Sequence, residues 1–237
     1  MVGSPSYGSD TAISGRQWGR LTYRHLDHHL GQFGVWIEVT PTIRLAAEDD
    51  AAAVAGIYGP FCDSAVVSFE YAAPSTGEMA NRIRTITTQL PWLVLEHGGI
   101  VLGYVYASRH KERAAYGWSV DTAAYVSPTH HRCGVGRALY TALFQLLRLQ
   151  GYFKACAGVT LPNDASVGLH EGVGFTPVGV YRGIGYKHGA WQDVAWYQTA
   201  LQPERLNPAP PVPITAIVSS KGWTEAVAQG LRYYRPS

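Results

Sequence analysis

The chain is 237 residues long, 46% apolar and 12% aromatic, with a formal net charge of +2 from 19 basic and 17 acidic side chains. That length fits one large domain, or one domain with tails, and the apolar share is ample for a buried core. The near-neutral balance gives no electrostatic footprint for a nucleic-acid or membrane partner, and no apolar run is long enough to span a bilayer.

Residues 1–38 are rich in Gly, Ser, His and Arg without a sustained period, and residues 1–40 read as a disordered N-terminal extension. Arg16, Arg20 and Arg24 give it a faint likeness to an organellar transit segment, but no basic stretch followed by an apolar run marks a secretory signal. Periodic structure begins with a short strand at 43–45. Glu48, Asp49 and Asp50 then favour a helix N-terminus, and a helix is expected over 51–58, ended by Gly59-Pro60. "VVSFEY" reads as an extended loop. A second helix opens at Pro74-Ser75 and runs to about Gln89, with Met79, Ile83 and Ile86 on one face. After Pro91, "WLVLEHGGIVLGYVYASR" reads as two strands joined by a Gly-Gly hairpin, and "AYGWSVDTAAYVSP" as a third strand. A helix over 135–150 carries Leu139, Leu143, Leu146 and Leu147 on its apolar side and stops at Gly151. Next come a buried strand in "YFKACAGVTLP" and a short helix in "NDASVGLHEGVGF", capped by Asn163 or Asp164. Two strands around a Lys-His-Gly turn close the periodic part near Leu201. Residues 204–237 form a proline-rich extension, in which "WTEAVAQGLRYY" has helical character but no evident partner. The order β-α-α-β-β-β-α-β-α-β-β is an α+β plan: an antiparallel meander with one strand–loop–helix crossover.

Cys62, Cys133 and Cys156 fit neither a zinc spacing nor a disulfide framework, which points to reduced thiols in a cytoplasmic protein. His28-His29 and His130-His131 are adjacent pairs without the i, i+4 spacing of a helical metal site, so no metal is expected.

The stretch that carries chemistry is "HHRCGVGRALY", residues 130–140. A dinucleotide fingerprint needs a third glycine where Leu139 stands, and a Walker loop needs Lys-Ser or Lys-Thr after the glycines; both fail. What remains is a strand ending in "YVSP", a basic turn, and glycine amides opening onto a helix N-terminus. Backbone N–H groups and the helix dipole together make an anion site there.

"YVSPTHHRCGVGRALY" resembles the acyl-CoA pyrophosphate loop, Q/R-x-x-G-x-G/A, of the GCN5-related N-acetyltransferases (GNAT superfamily). "LPNDASVGLHEGVGF" resembles that superfamily's Asn-headed helix. "VSFE", "PWLVLE", "AYGWSVDTAAYVSP" and "GYKHGAWQDVAWYQ" bring the likeness closest to the phosphinothricin N-acetyltransferases. The resemblance implies a GNAT domain over 41–203: a mixed, mostly antiparallel sheet of about seven strands flanked by about four helices. It implies acetyl-CoA as co-substrate, a small amino acid or analogue of the phosphinothricin or methionine sulfoximine type as amine, no metal, and a homodimer. Asp121 stands where the family has a glutamate base, one methylene longer. His170 and Tyr140 are the implied proton donors or relays. Val126 and Ser127 would line the pantetheine arm and Asn163 would bond it. Arg132, Gly134, Val135, Gly136, Arg137 and Ala138 would cradle the pyrophosphate, with His131 where Gln or Arg is the pattern. Phe69 would wall the amine site, and Lys111 and Arg113 would attract the substrate's acid group. Two alternatives stay open: a different amine (antibiotic, polyamine or peptide), or a CoA-binding protein with weakened catalysis.

Overall fold

The computed structural model describes residues 40–236. The N-terminal extension expected over 1–40 lies, but for its last residue, outside the described residues. Seven strands form one sheet: β1 (Thr42–Leu45), β2 (Trp92–His97), β3 (Ile100–Arg109), β4 (Ser119–Val126), β5 (Lys154–Leu161), β6 (Thr176–Lys187) and β7 (Ala190–Ala200), in the spatial order β1-β2-β3-β4-β5-β7-β6. Every neighbouring pair is antiparallel except β4 and β5, which run parallel. Five helices flank it: α1 (Ala51–Asp63), α2 (Thr76–Ile86), α3 (Val135–Gln150), α4 (Asp164–Gly172) and α5 (Lys221–Leu231).

The expected turns and caps largely form. Gly98 and Gly99, at φ 63° and 72°, make the β2–β3 hairpin. Ser75 and Glu78 cap α2 reciprocally. Asn163, rather than Asp164, caps α4 by accepting from the Ser166 amide. Two expected boundaries move. α2 ends at Ile86 rather than near Gln89, with Thr87 as its C-cap. Gly59-Pro60 does not end α1, which continues to Asp63 with Pro60 inside it. A mid-helix proline costs about 3 kcal/mol, but Ile57, Tyr58 and Cys62 are buried on the same helix and hold it against the sheet.

The core divides between the two faces of the sheet. On one face α1 and α2 cover Trp92, Val94, Val101 and Tyr104. On the other, α3 buries its leucines against Leu93, Leu95, Leu102 and Val105. The extension after residue 203 is part of this second core rather than a free tail. Ile214 is fully buried, Ile217, Ala226 and Tyr234 nearly so, and α5 packs on α3 and β1. Gly230 is the close-approach point: a Cβ there would meet the Ala138 carbonyl oxygen at 2.6 Å. The helix without an evident partner in sequence therefore covers the outer side of α3.

Candidate active site

The parallel pair β4–β5 is bonded only at its start, with Ser119, Val120 and Asp121 opposite Lys154, Ala155 and Cys156. Beyond Asp121 the strands diverge. Thr122–Val126 stay paired to β3, and Ala157–Leu161 stay paired to β7. The backbone of β4 past Asp121 thus has an open edge facing the wedge, and an extended amide-bearing chain can add there as a strand does. Val126 and Ser127 lie at the wide end. The Val126 carbonyl faces the His131 Nε2 at 3.3 Å, and the Ser127 amide donates to Leu102 at 2.8 Å. His131 therefore touches the strand end rather than extending the basic loop.

The Gly-rich turn follows directly. Arg132 and Gly134 adopt left-handed backbone at φ 63° and 78°, and no side chain caps the α3 N-terminus. The first-turn amides of Val135, Gly136 and Arg137 are those an α-helix leaves without an internal acceptor. Gly136 packs closely on α4: a Cβ there would meet the end of the Leu169 side chain at 2.9 Å. Ala138 is fully buried, while Arg132 and Arg137 are exposed. Asn163 caps α4 through its Oδ1, which leaves its NH2 group for another acceptor. An uncapped helix start with two exposed arginines beside an open strand edge fits the diphosphate and pantetheine of acetyl-CoA.

The C-terminal segment reaches this loop, which the sequence did not announce. The Arg235 amide donates to the Cys133 carbonyl at 2.8 Å, and the Arg137 guanidinium lies over the Tyr233 ring, 4.4 Å from its centroid. A Cβ on Gly134 would fall 2.0 Å from the Tyr233 carbonyl oxygen.

Asp121 sits at the apex of the wedge. Its Oδ1 lies 2.7 Å from His110 Nδ1, and the Cys156 Sγ completes a group of three within 4.8 Å. Burial pushes the Asp121 carboxyl up from the usual aspartate range, and the His110 hydrogen bond opposes that shift. His110 was not singled out in sequence, and Cys156 was read only as a reduced thiol. Ser108 pairs with Asp121 across β3–β4, so His110, two residues on, shares its face. Only the strand register reveals that. Lys111 is exposed and its charge acts on Asp121, whereas Arg113 stands on the exposed loop leading to β4.

Tyr140 and His170 are brought together, but in the core. Tyr140 is fully buried and His170 is 6% exposed, with 2.9 Å between the Tyr140 hydroxyl and His170 Nε2. His170 Nδ1 lies 2.7 Å from the Ser166 carbonyl. A carbonyl only accepts, so Nδ1 carries the proton and the tyrosine donates to Nε2. Burial raises the Tyr140 pKa and lowers that of His170. This is the arrangement of a neutral structural pair pinning α3 to α4, and it does not support proton donation to a thiolate by either side chain.

Phe69 lines an apolar pocket of ≈ 350 Å³ with Val67, Thr160, Tyr181, Ile184 and Trp196. The loop bearing it is tied down on both sides. Lys187, at 1% exposure, donates to the carbonyls of Cys62, Ser68 and Glu70 at 2.6, 2.7 and 2.9 Å. Glu70 takes two bonds from Arg82, and the Arg82 guanidinium, helped by the Tyr58 hydroxyl and opposed by burial, holds its carboxyl below the usual range.

Comparison with known proteins agrees with this geometry. The Acetyltransferase (GNAT) domain model matches residues 43–196. A phosphinothricin N-acetyltransferase of Streptomyces viridochromogenes is 39% identical over 175 residues, covering 74% of this chain and 93% of its own. An L-methionine sulfoximine/L-methionine sulfone acetyltransferase of Salmonella typhimurium is 30% identical, covering 68% and 94%. Among solved structures, a GNAT superfamily phosphinothricin acetyltransferase from Sinorhizobium meliloti in complex with AcCoA superposes with a TM-score of 0.69 at 33% identity, covering 73% of this chain and 95% of that one. With its seven-stranded sheet, its wedge between β4 and β5 and its Gly-rich helix start, the chain belongs to the GNAT acetyltransferases.

Proposed function

We propose that this enzyme moves the acetyl group of acetyl-CoA to the α-amino group of a small amino acid or analogue of the L-phosphinothricin or methionine sulfoximine class. The observation that carries the reading is the juxtaposition of a carboxylate, Asp121, with the apex of the wedge whose wide end meets the uncapped start of α3. The amides of Val135, Gly136 and Arg137, with Arg132 beside them, would hold the diphosphate, and Asn163 and the open edge of β4 the pantetheine. That grip would aim the thioester at Asp121. An incoming ammonium must lose a proton before its lone pair can attack, and the partly buried pair of Asp121 and His110 supplies a base. Phe69 and the apolar pocket would take the substrate's side chain, and Lys111 and Arg113 its acid group. The exposed Tyr181, Ile184, Tyr186 and Trp191 of the last two strands support a homodimer, to be read by light scattering. We assign the enzyme to the cytoplasm.

A thiol-release assay with acetyl-CoA against a panel of amino acids, L-phosphinothricin and methionine sulfoximine or sulfone tests the substrate class. Acetylation of these amines and protection of expressing cells from L-phosphinothricin are the expected results. Turnover confined to polyamines, antibiotics or peptides would move the substrate elsewhere, and acetyl-CoA binding without turnover would identify a carrier. Arg113→Ala should raise KM for the amine several-fold with little change in kcat, about 1 kcal/mol of lost binding; an unchanged KM removes Arg113 from the site.

A further inference from the structure

We propose that His110 is the general base of this acetyltransferase and that Asp121 acts through it, a division of labour that rests on the reaction proposed above. Asp121 is one methylene shorter than the glutamate that the family resemblance puts at its position, which shortens its reach toward an incoming amine. The imidazole of His110 stands on that carboxylate, with 2.7 Å between Nδ1 and Oδ1. A carboxylate can only accept, so Nδ1 carries the proton, and in the neutral ring Nε2 keeps its lone pair. Among the described residues no hydrogen bond occupies Nε2. Tyr116 packs edge-on against the ring, 5.8 Å between centroids, and limits its rotation. The side chains of His110 and Asp121 are 19% and 31% exposed, sheltered enough to hold their geometry and open enough to meet a ligand.

Carboxylate, imidazole and free Nε2 are the parts of a base whose tautomer and orientation are fixed by an acid behind it. Imidazole also suits the task, because its neutral ring offers a nitrogen lone pair while the opposite N–H is held by the carboxylate. The groups facing it are Asp121 from β4, Cys156 from β5, Lys111 on its own loop, and Tyr116.

In the step, one N–H proton of the substrate's ammonium passes to Nε2. The freed lone pair forms a C–N bond to the acetyl carbonyl carbon, and the C–S bond breaks with its electron pair on sulfur. The nitrogen's second proton neutralises the thiolate, and the imidazolium returns its proton to solvent. The products are the acetamide, the CoA thiol and one proton, so no further reactant is needed. Asp121 stays ionised throughout and stabilises the imidazolium.

The test compares the wild type with His110→Ala, His110→Gln, Asp121→Asn and the double variant His110→Ala/Asp121→Glu. Each is assayed with acetyl-CoA and the best amine of the panel, and its acetyl-CoA affinity is measured by calorimetry to verify a folded cofactor site. His110→Ala and His110→Gln should lose about a hundredfold in kcat with KM values little changed. Added imidazole should restore part of the activity of His110→Ala alone. The double variant should recover turnover relative to His110→Ala, because the longer carboxylate reaches the amine directly. The wild-type acidic limb of the kcat/KM profile should be lost in His110→Gln. If both His110 variants keep turnover within about twofold while Asp121→Asn loses it, Asp121 is itself the base; the inference is then overturned and the proposed reaction stands. Loss of activity with no imidazole rescue, no recovery in the double variant and weakened acetyl-CoA binding would make His110 structural and equally overturn it. A wild type inactive on every amine overturns the reaction and the base assigned to it together.

Discussion

His170 holds its Nδ1–H on the Ser166 carbonyl and receives the Tyr140 hydroxyl at Nε2, so the folded protein keeps it neutral. Burial, the larger influence, lowers its pKa from the ordinary 6.5. The unfolded chain therefore binds a proton there more readily than the folded one. Stability from this group is present above about pH 6.5 and is lost as pH falls through the window below it. The fall in Tm on acidification from about pH 7 to 5 should be shallower in His170→Gln than in the wild type; parallel curves would refute it. Gly134 is a second position where one atom decides. Its φ of 78° costs an L-residue about 1–2 kcal/mol, and a Cβ would strike the Tyr233 carbonyl. Gly134→Ala should weaken acetyl-CoA binding about tenfold or more by calorimetry; unchanged affinity would mean the loop amides do not hold the anion. The glycines and Asn163 were legible in sequence because backbone sign and capping are local properties. His110 was not, because its meaning depends on a partner across the strand.

Among elements, the end of β6 and the loop after α1 form one unit through Lys187. A buried ammonium with three carbonyl acceptors has all three of its donors used, without a carboxylate bonded to it. In sequence it was only part of a Lys-His-Gly turn. Lys187→Met should leave those carbonyls unpaired, cost about 2–4 kcal/mol and lower Tm by roughly 5–15 °C. Calorimetric melting measures that, and kinetics should show a higher amine KM as the Phe69 loop loosens. A variant with the wild-type Tm would remove Lys187 as the clasp. The wedge is a property of two elements as well. Each strand was recognisable alone, yet nothing in either says that their ladder ends at Asp121 and Cys156.

For the whole molecule, the C-terminal extension changes what the domain is. Its prolines and low periodicity suggested a tail outside the core. Instead the Val212 amide donates to Gln150, the Trp118 indole to Ala209, and the Tyr234 hydroxyl meets the His97 ring at 2.9 Å. Removing residues 204–237 would uncover the side of α3 that Ile214, Ile217 and Ala226 bury, and would free the Gly-rich loop from Tyr233 and Arg235. The truncated protein should melt at least 10 °C lower, a loss of several kcal/mol of buried apolar surface, and bind acetyl-CoA more weakly. A truncation with full stability and affinity would show the extension to be dispensable. Turnover should also be indifferent to a chelator, because the short contact between His110 and Asp121 is a hydrogen bond rather than the spacing of two metal ligands; inhibition by EDTA would contradict this.

By itself the sequence determined the order of strands and helices, the Gly-rich helix start, and the family to which these belong. Each rests on neighbours within a few residues: caps, glycine backbone angles and the period of apolar side chains. Tertiary structure alone decided which distant groups meet. His110 and Asp121 are eleven positions apart and come together through the β3–β4 register. Cys156 joins them through a parallel pairing made possible by the α3 crossover. Tyr140 and His170 took a buried role for the same kind of reason: the packing of α4 on α3 closed them off from water. Local pattern sets where a side chain can point; the register of the sheet and the packing of its faces set what it finds there.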